Sequence, residues 1–242
     1  MRPYRHLLPL VCWLLALPAA AQQLWIEQIN GNAMLRFGDY AENERGTSPG
    51  LLDELPEPRA RLVSLEGSDE LTVRKREAGF DLGVRVARGQ SVIAQDSRYP
   101  AWERVEGTRR TRTIWIPAAR YVVDLSPQEP ALALDVFPAN RPGQFKVVFT
   151  GRPLEGATVT AMSAWGWRQE VTTDANGEFS LRLPARGAYA IEVQHVDPRP
   201  GQRPGEGGAE AYDEARFSTV LTFEQPTGPK APASLPPTRP AP

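Results

Sequence analysis

Oxygen ligands for a hard cation are densest between Phe37 and Arg45, where Asp39, Glu42 and Glu44 come close together, with Asp53, Glu54 and Glu57 a short way on. A calcium-like ion takes about six to eight oxygens, so such a run binds one only if the fold converges it. The alternative is a charged loop facing water. Glu27 lies just upstream, and His195 is the one imidazole in the chain beyond His6. A single imidazole makes no transition-metal site without further ligands, and a structural histidine is the other reading. For a divalent metal ion the candidate ligands are therefore Glu27, Asp39, Glu42 and His195.

Ring-bearing side chains suggest a second kind of chemistry. Trp165 and Trp167, separated by Gly166, fall on one side of a strand, where they form either a platform for sugar rings or part of a core. Arginines cluster at Arg104, Arg109, Arg110, Arg112 and Arg120 around Trp102 and Trp115. In a cytosolic protein that mixture would suggest phosphates and stacked bases. In a strand Arg110 and Arg112 share a face, which a sheet can pair with its many acids. Anionic polysaccharide or lipid head groups are the remaining partners. Two carboxylates could serve a glycosidase, but their separation in the fold decides that and sequence spacing does not. No Gly-x-Ser-x-Gly, His-Glu-x-x-His or phosphate-cradling glycine loop occurs. No catalytic residue and no enzyme activity are expected.

The start of the chain bears on where any of this would operate. Arg2 and Arg5, an apolar run from Leu7 to Leu17 and the small residues Ala19 to Ala21 have the three-part layout of a signal peptide. The run is too short to cross a hydrocarbon core, which needs about 20 apolar residues. Residues 1–21 are thus expected to be cleaved, releasing a periplasmic chain without stable membrane insertion. Cleavage would remove the single cysteine, Cys12, and with it disulfides, zinc-thiolate sites and a thiol nucleophile. It would also take Arg2 and Arg5 from a total of 28 basic against 29 acidic residues, leaving a net charge of −3. That balance and the exported location point away from nucleic acid.

The elements that would position these residues read as strands. Leu24–Ile29 and Ala33–Phe37 flank Asn30-Gly31, a hairpin dipeptide. Further runs lie at 61–65, 71–76, 91–95, 111–116 and 120–125. One helix is expected over Ser48–Leu55, with Ser48 as cap and Pro49 in its first turn. Past the break Leu125-Ser126-Pro127-Gln128-Glu129-Pro130, seven short runs recur at 131–137, 144–150, 157–162, 169–173, 178–183, 188–194 and 219–223, the pattern of a sandwich. Asp174-Ala175-Asn176-Gly177 reads as a hairpin turn rather than a calcium loop, since the distal glutamate is missing. Pro198–Gly208 reads as a loop.

The expected organisation is all-β: a signal peptide (1–21), an N-terminal mainly β domain (22–127), an immunoglobulin-like β-sandwich (128–224) and a disordered tail (225–242). Seven of the seventeen residues from Pro226 on are proline, which leaves no face to pack.

Several segments together resemble the DUF4198 family of exported proteins: Leu24-Trp25-Ile26-Glu27, Phe37-Gly38-Asp39-Tyr40 with Ser48–Asp53, Gly151–Val159, Thr173–Phe179 and Phe217–Phe223. The second-half segments are also similar to carboxypeptidase-regulatory and other immunoglobulin-like modules. The resemblance implies a non-catalytic accessory protein that helps a membrane transporter or outer-membrane receptor handle nickel or cobalt. Relatives often carry a histidine just before the Trp-Ile-Glu-like strand, where this chain has Gln22-Gln23, and glutamine cannot replace that imidazole. The alternative is an envelope adhesion or structural module binding carbohydrate or protein through Trp165 and Trp167.

Overall fold

The computed structural model describes residues 22–205 and 207–238. The expected signal peptide lies outside the described residues. In the first half the strands are β1 Gln23–Ile29, β2 Asn32–Asp39, β3 Glu44–Arg45, β4 Arg59–Ser64, β5 Gly67–Leu71, β6 Arg74–Arg76, β7 Gly79–Asp81, β8 Ser91–Gln95, β9 Trp102–Glu106 and β10 Arg109–Val122. In the second they are β11 Leu134–Pro138, β12 Gln144–Phe149, β13 Arg152–Pro153, β14 Thr158–Met162, β15 Arg168–Thr172, β16 Glu178–Ser180, β17 Gly187–Asp197, β18 Gly201–Gly205, β19 Gly208–Tyr212 and β20 Glu214–Gln225. The all-β class read from the sequence is the class of the fold.

A nine-stranded sheet organises both halves. Its order is β15-β14-β17-β20-β10-β8-β4-β5, with β9 added to the start of β10. β20 runs parallel to β10, from Thr113 opposite Glu214 to Tyr121 opposite Thr222. On its other side it runs antiparallel to β17, from Gly187 opposite Gln225 to Asp197 opposite Ala215. The proline break at 125–130 falls between β10 and β11, yet this sheet is continuous across the two halves because β20 returns to the first.

Strand alternation then decides what each face carries. From β10, Ala119 and Tyr121 enter a core with Val92 and Ala94 of β8 and with Leu24, Ile26, Leu35 and Phe37 of the five-stranded sheet β1-β2-β7-β6 plus β3. Val122, one residue on, joins Leu221 and Phe223 of β20 in a second core against Leu134, Val136, Phe145 and Val147 of the β11-β12-β13 sheet. The small sheets therefore cover opposite faces of the large one, at opposite ends. Each is one layer of a sandwich, and the large sheet is the other layer of both. β1 is buried on its second face as well, where Trp25 and Tyr40 pack on Met162, Ala190 and Val220. Full burial of such side chains contributes about 1.5–3 kcal/mol each, so this small cluster ties the halves together beyond the shared strand.

Local chemistry explains where the elements depart from the sequence pattern. Asn30 and Gly31 both adopt positive φ, 51° and 81°, as a two-residue hairpin requires. The expected helix is a four-residue 3-10 turn, Leu51–Glu54. Gly50, at φ 131°, breaks the start, and Asp53 accepts from the Gly50 amide at 2.9 Å and the Ser48 hydroxyl at 2.8 Å. Asp174 does make a tight turn, accepting the amides of Asn176 and Glu178 at 2.8 Å each. The flanking strands do not pair as a hairpin, however: β15 joins β14 and β16 joins β12, so the turn connects two layers. The loop expected over 198–208 contains a strand of the ribbon β18-β19. Residues 226–238, expected to be disordered, run extended along the body and pair by single bridges with Arg186 and Glu44.

Candidate ligand-binding face

The five-stranded sheet does not cover the whole of its side of the large sheet. Beyond Gln22, just before β1, the ends of β9, β10, β17 and β20 lie bare and form a shallow pocket of about 250 Å³. Register places its side chains: Trp102 lies opposite Thr113, Trp115 opposite Arg216, and Val196 and Gln194 opposite Arg216 and Ser218. All of these point to one face. Trp102 and Val196 remain 38% and 45% exposed, although each side chain would gain by leaving water.

The polar groups here are held in place. Glu214 accepts from the Thr113 hydroxyl at 2.9 Å and lies 3.6 Å from Arg216 and 3.9 Å from Arg104. Anchored this way, the Arg216 guanidinium sits 5.9 Å from the centre of the Trp102 ring, within cation–π range. Trp115 is fixed from below by Tyr99, edge to face at 4.8 Å, and its indole N–H donates to Ser218 Oγ at 2.9 Å. A partly exposed indole beside the Gln194 amide and the Arg216 guanidinium suits a polar ring, which packs on the indole while its hydroxyls hydrogen-bond to the polar groups.

The proposed metal ligands are not brought together. The Glu27 carboxylate receives the Trp25 indole N–H at 3.0 Å, Arg36 at 3.3 Å and Arg45. Asp39 closes a turn by accepting the Glu42 amide at 3.1 Å, and Glu42 itself is exposed. His195 also borders the shallow pocket, but strand alternation turns its ring to the opposite face from Gln194 and Val196, 4.4 Å from that of Phe149. Burial there holds its pKa below the ordinary histidine value, with Asp197 opposing the shift. Among the described residues no group of three or more His, Cys, Asp or Glu side chains converges. The donors present thus do not fit a coordination shell, for which several must converge within about 2.0–2.6 Å of one ion.

Trp165 and Trp167 cap the second core. Their rings meet Tyr189 edge to face at 6.3 and 5.5 Å, and the buried Trp165 indole nitrogen has no hydrogen-bond partner among the described residues. Of the arginine cluster, Arg110 and Arg112 pair with Glu103 and Glu210 on an acid-paired sheet face, while Arg104, across from Thr111 on the other face, pairs with Glu106. Arg120 belongs elsewhere, in the interior. Sequence reading singled out Trp102 and Trp115 but missed Arg216, Ser218 and Gln194. Those residues lie roughly 80–115 positions away in the chain, and only the β10–β20–β17 register carries the signal.

Residues 146–210, from within β12 to β19, match the family model of the carboxypeptidase regulatory-like domain. No curated protein matches the chain. The second half, with its two packed layers, is therefore an immunoglobulin-like β-sandwich similar to that domain.

Proposed function

We propose that this is a non-catalytic binding protein of the bacterial envelope, exported to the periplasm, and that it recognises carbohydrate at the Trp102–Trp115–Arg216 face. One observation carries the reading: two exposed apolar side chains, Trp102 and Val196, line the same pocket as Arg216, Gln194 and Ser218. Exposed apolar area rimmed by oriented polar groups is characteristic of binding surfaces. The signal-peptide layout of residues 1–21 supports the location. The test is retention of the mature protein on immobilised envelope polysaccharide. Trp102→Ala and Arg216→Ala should each abolish retention while leaving the melting temperature unchanged, and undiminished retention in both would end this reading.

The resemblance to the DUF4198 family supports a second reading, an accessory protein that helps a transporter or outer-membrane receptor take up nickel or cobalt. Its support is the run of shared segments from Leu24 to Phe223. Calorimetric titration of the mature protein with each ion separates the two readings, since absence of heat with both would remove direct metal binding.

A further inference from the structure

The C-terminal segment is held in an unusual way. Between Pro226 and Thr238 every described residue except Ala231 is exposed, so apolar burial does little to keep it in place. Leu235, its one large apolar side chain, is 41% exposed. Backbone groups hold it instead. The Arg186 amide donates to Pro229 O at 2.9 Å, the Leu235 amide to Ala164 O at 2.9 Å, the Thr238 amide to Asn43 O at 3.1 Å and the Arg45 amide to Thr238 O at 2.9 Å. The segment thus starts beside the second sandwich, crosses the β14–β15 turn and ends as a parallel neighbour of β3 in the first.

The body is shaped for this. Asn43 is 5% exposed and sits at φ 53°, a left-handed conformation that asparagine tolerates better than most residues. Its carbonyl accepts the Thr238 amide, and its side-chain amide donates to Leu235 O at 2.5 Å. Its Oδ1 is held by Arg45. At the other end Gly228 passes so close to Ala185 and Arg186 that a Cβ would lie 3.3 Å from the Arg186 nitrogen. Five prolines in 226–238 keep the segment extended before it docks, which lowers the ordering cost. Recognition through main-chain groups plus a preformed extended backbone is a general mode of peptide binding.

We propose that the track from Ala185–Arg186 past Ala164 to Asn43–Arg45 is a binding site for an extended proline-rich peptide, and that residues 226–238 occupy it as a displaceable resident. The occupant this fits is a proline-rich extended segment of another envelope protein, which would replace the tail by exchanging the same main-chain bonds.

The test uses the full chain carrying Gly228→Val, Leu235→Pro and Thr238→Pro. These changes remove two donating amides and block the close approach while leaving the segment extended. Hydrogen exchange at the Arg45 and Arg186 amides should then quicken to that of open strand edges. A synthetic peptide of residues 226–238 in wild-type sequence should bind the released variant at least about tenfold more tightly than the wild type, whose own tail competes at high effective concentration. Adding Asn43→Gly, which keeps the backbone conformation but removes the side-chain donor, should weaken the peptide about fivefold. Failure of the released variant to take up peptide overturns the proposal, as does equal binding to both proteins. So do Arg45 and Arg186 amides that stay protected despite the three substitutions.

Discussion

Arg120 and Asp135 meet at 2.8 Å with both side chains wholly buried, one from β10 and the other from β11 across the proline break. Asp135 Oδ2 also accepts the amides of Ala131 and Leu132 at 2.7 and 3.1 Å. Arg120 donates to Glu129 O at 3.0 Å and lies over the Phe137 ring. The pair thus fixes the course of the connecting segment. Burial pushes the Asp135 carboxyl up and the Arg120 guanidinium down, and each charge opposes the shift of the other.

Taking both ions out of water costs several kcal/mol, and Arg120 Nε, Arg120 Nη1 and Asp135 Oδ1 have no hydrogen-bond partner among the described residues. Removing one partner should therefore be far worse than removing both. Arg120→Met and Asp135→Leu are each expected to destabilise by about 3–5 kcal/mol in urea titrations. The double variant should recover most of that loss. Additive losses would show that the ions do not act as a pair.

Glu192 supplies a pH signature. Burial raises its pKa above the usual carboxylate value, against hydrogen bonds from Gln194 and Gln23. A raised acid favours folding while protonated, so its contribution is full below the ordinary value of about 4.5 and is lost as pH rises through the raised value. Glu192→Gln should consequently flatten the stability profile above pH 4.5 and leave it unchanged below. A variant whose stability stays parallel to wild type across that range would contradict the assignment.

Glu210 behaves in the opposite sense. Hydrogen bonds from Arg112 and Arg203 hold its pKa below the usual value, and through them it ties the β18-β19 ribbon to β10 and to Ser97 O. That support is present above the ordinary carboxylate value and is lost as pH falls through the lowered one. Amides of β18 and β19 should open as pH falls below the ordinary carboxylate range, before the central sheet does, and Glu210→Gln should open them at neutral pH. Simultaneous opening of ribbon and sheet would rule this out.

For Trp165 and Trp167 the packing on Tyr189 makes a stability role the expectation. Each Trp→Ala change should cost about 1–2 kcal/mol without altering polysaccharide retention. Trp165→Phe removes a buried donor that has no partner among the described residues and should be neutral or stabilising. Loss of retention with an unchanged melting temperature would instead make the pair a ligand platform.

Local signals in the sequence translated directly into structure where their cause was local. Asn30-Gly31 gave its hairpin, and Ser91–Gln95 appears with the bounds read from its apolar run. The break at Pro127 and Pro130 marked the connection between the two cores. What the pattern missed depends on pairing across distance. The run read at 111–116 and the start of that read at 120–125 belong to one 14-residue strand, which ends at Val122, because Pro117 needs no ladder donor where it stands. β9 carries five exposed residues and so shows no apolar alternation. The ligand face was half visible: its tryptophans stood out, while Arg216 and Gln194 were ordinary polar residues until β20 set them beside Trp102.

β20 also fixes the order in which this fold can be completed. Of the twenty described strands it is the last to be synthesised, and until it exists β10 has no parallel neighbour and β17 lacks its longest ladder. A nascent chain stopped anywhere before Glu214 holds two half-built sheets, each with an open edge. The large sheet therefore stays incomplete for almost the whole of the chain's synthesis.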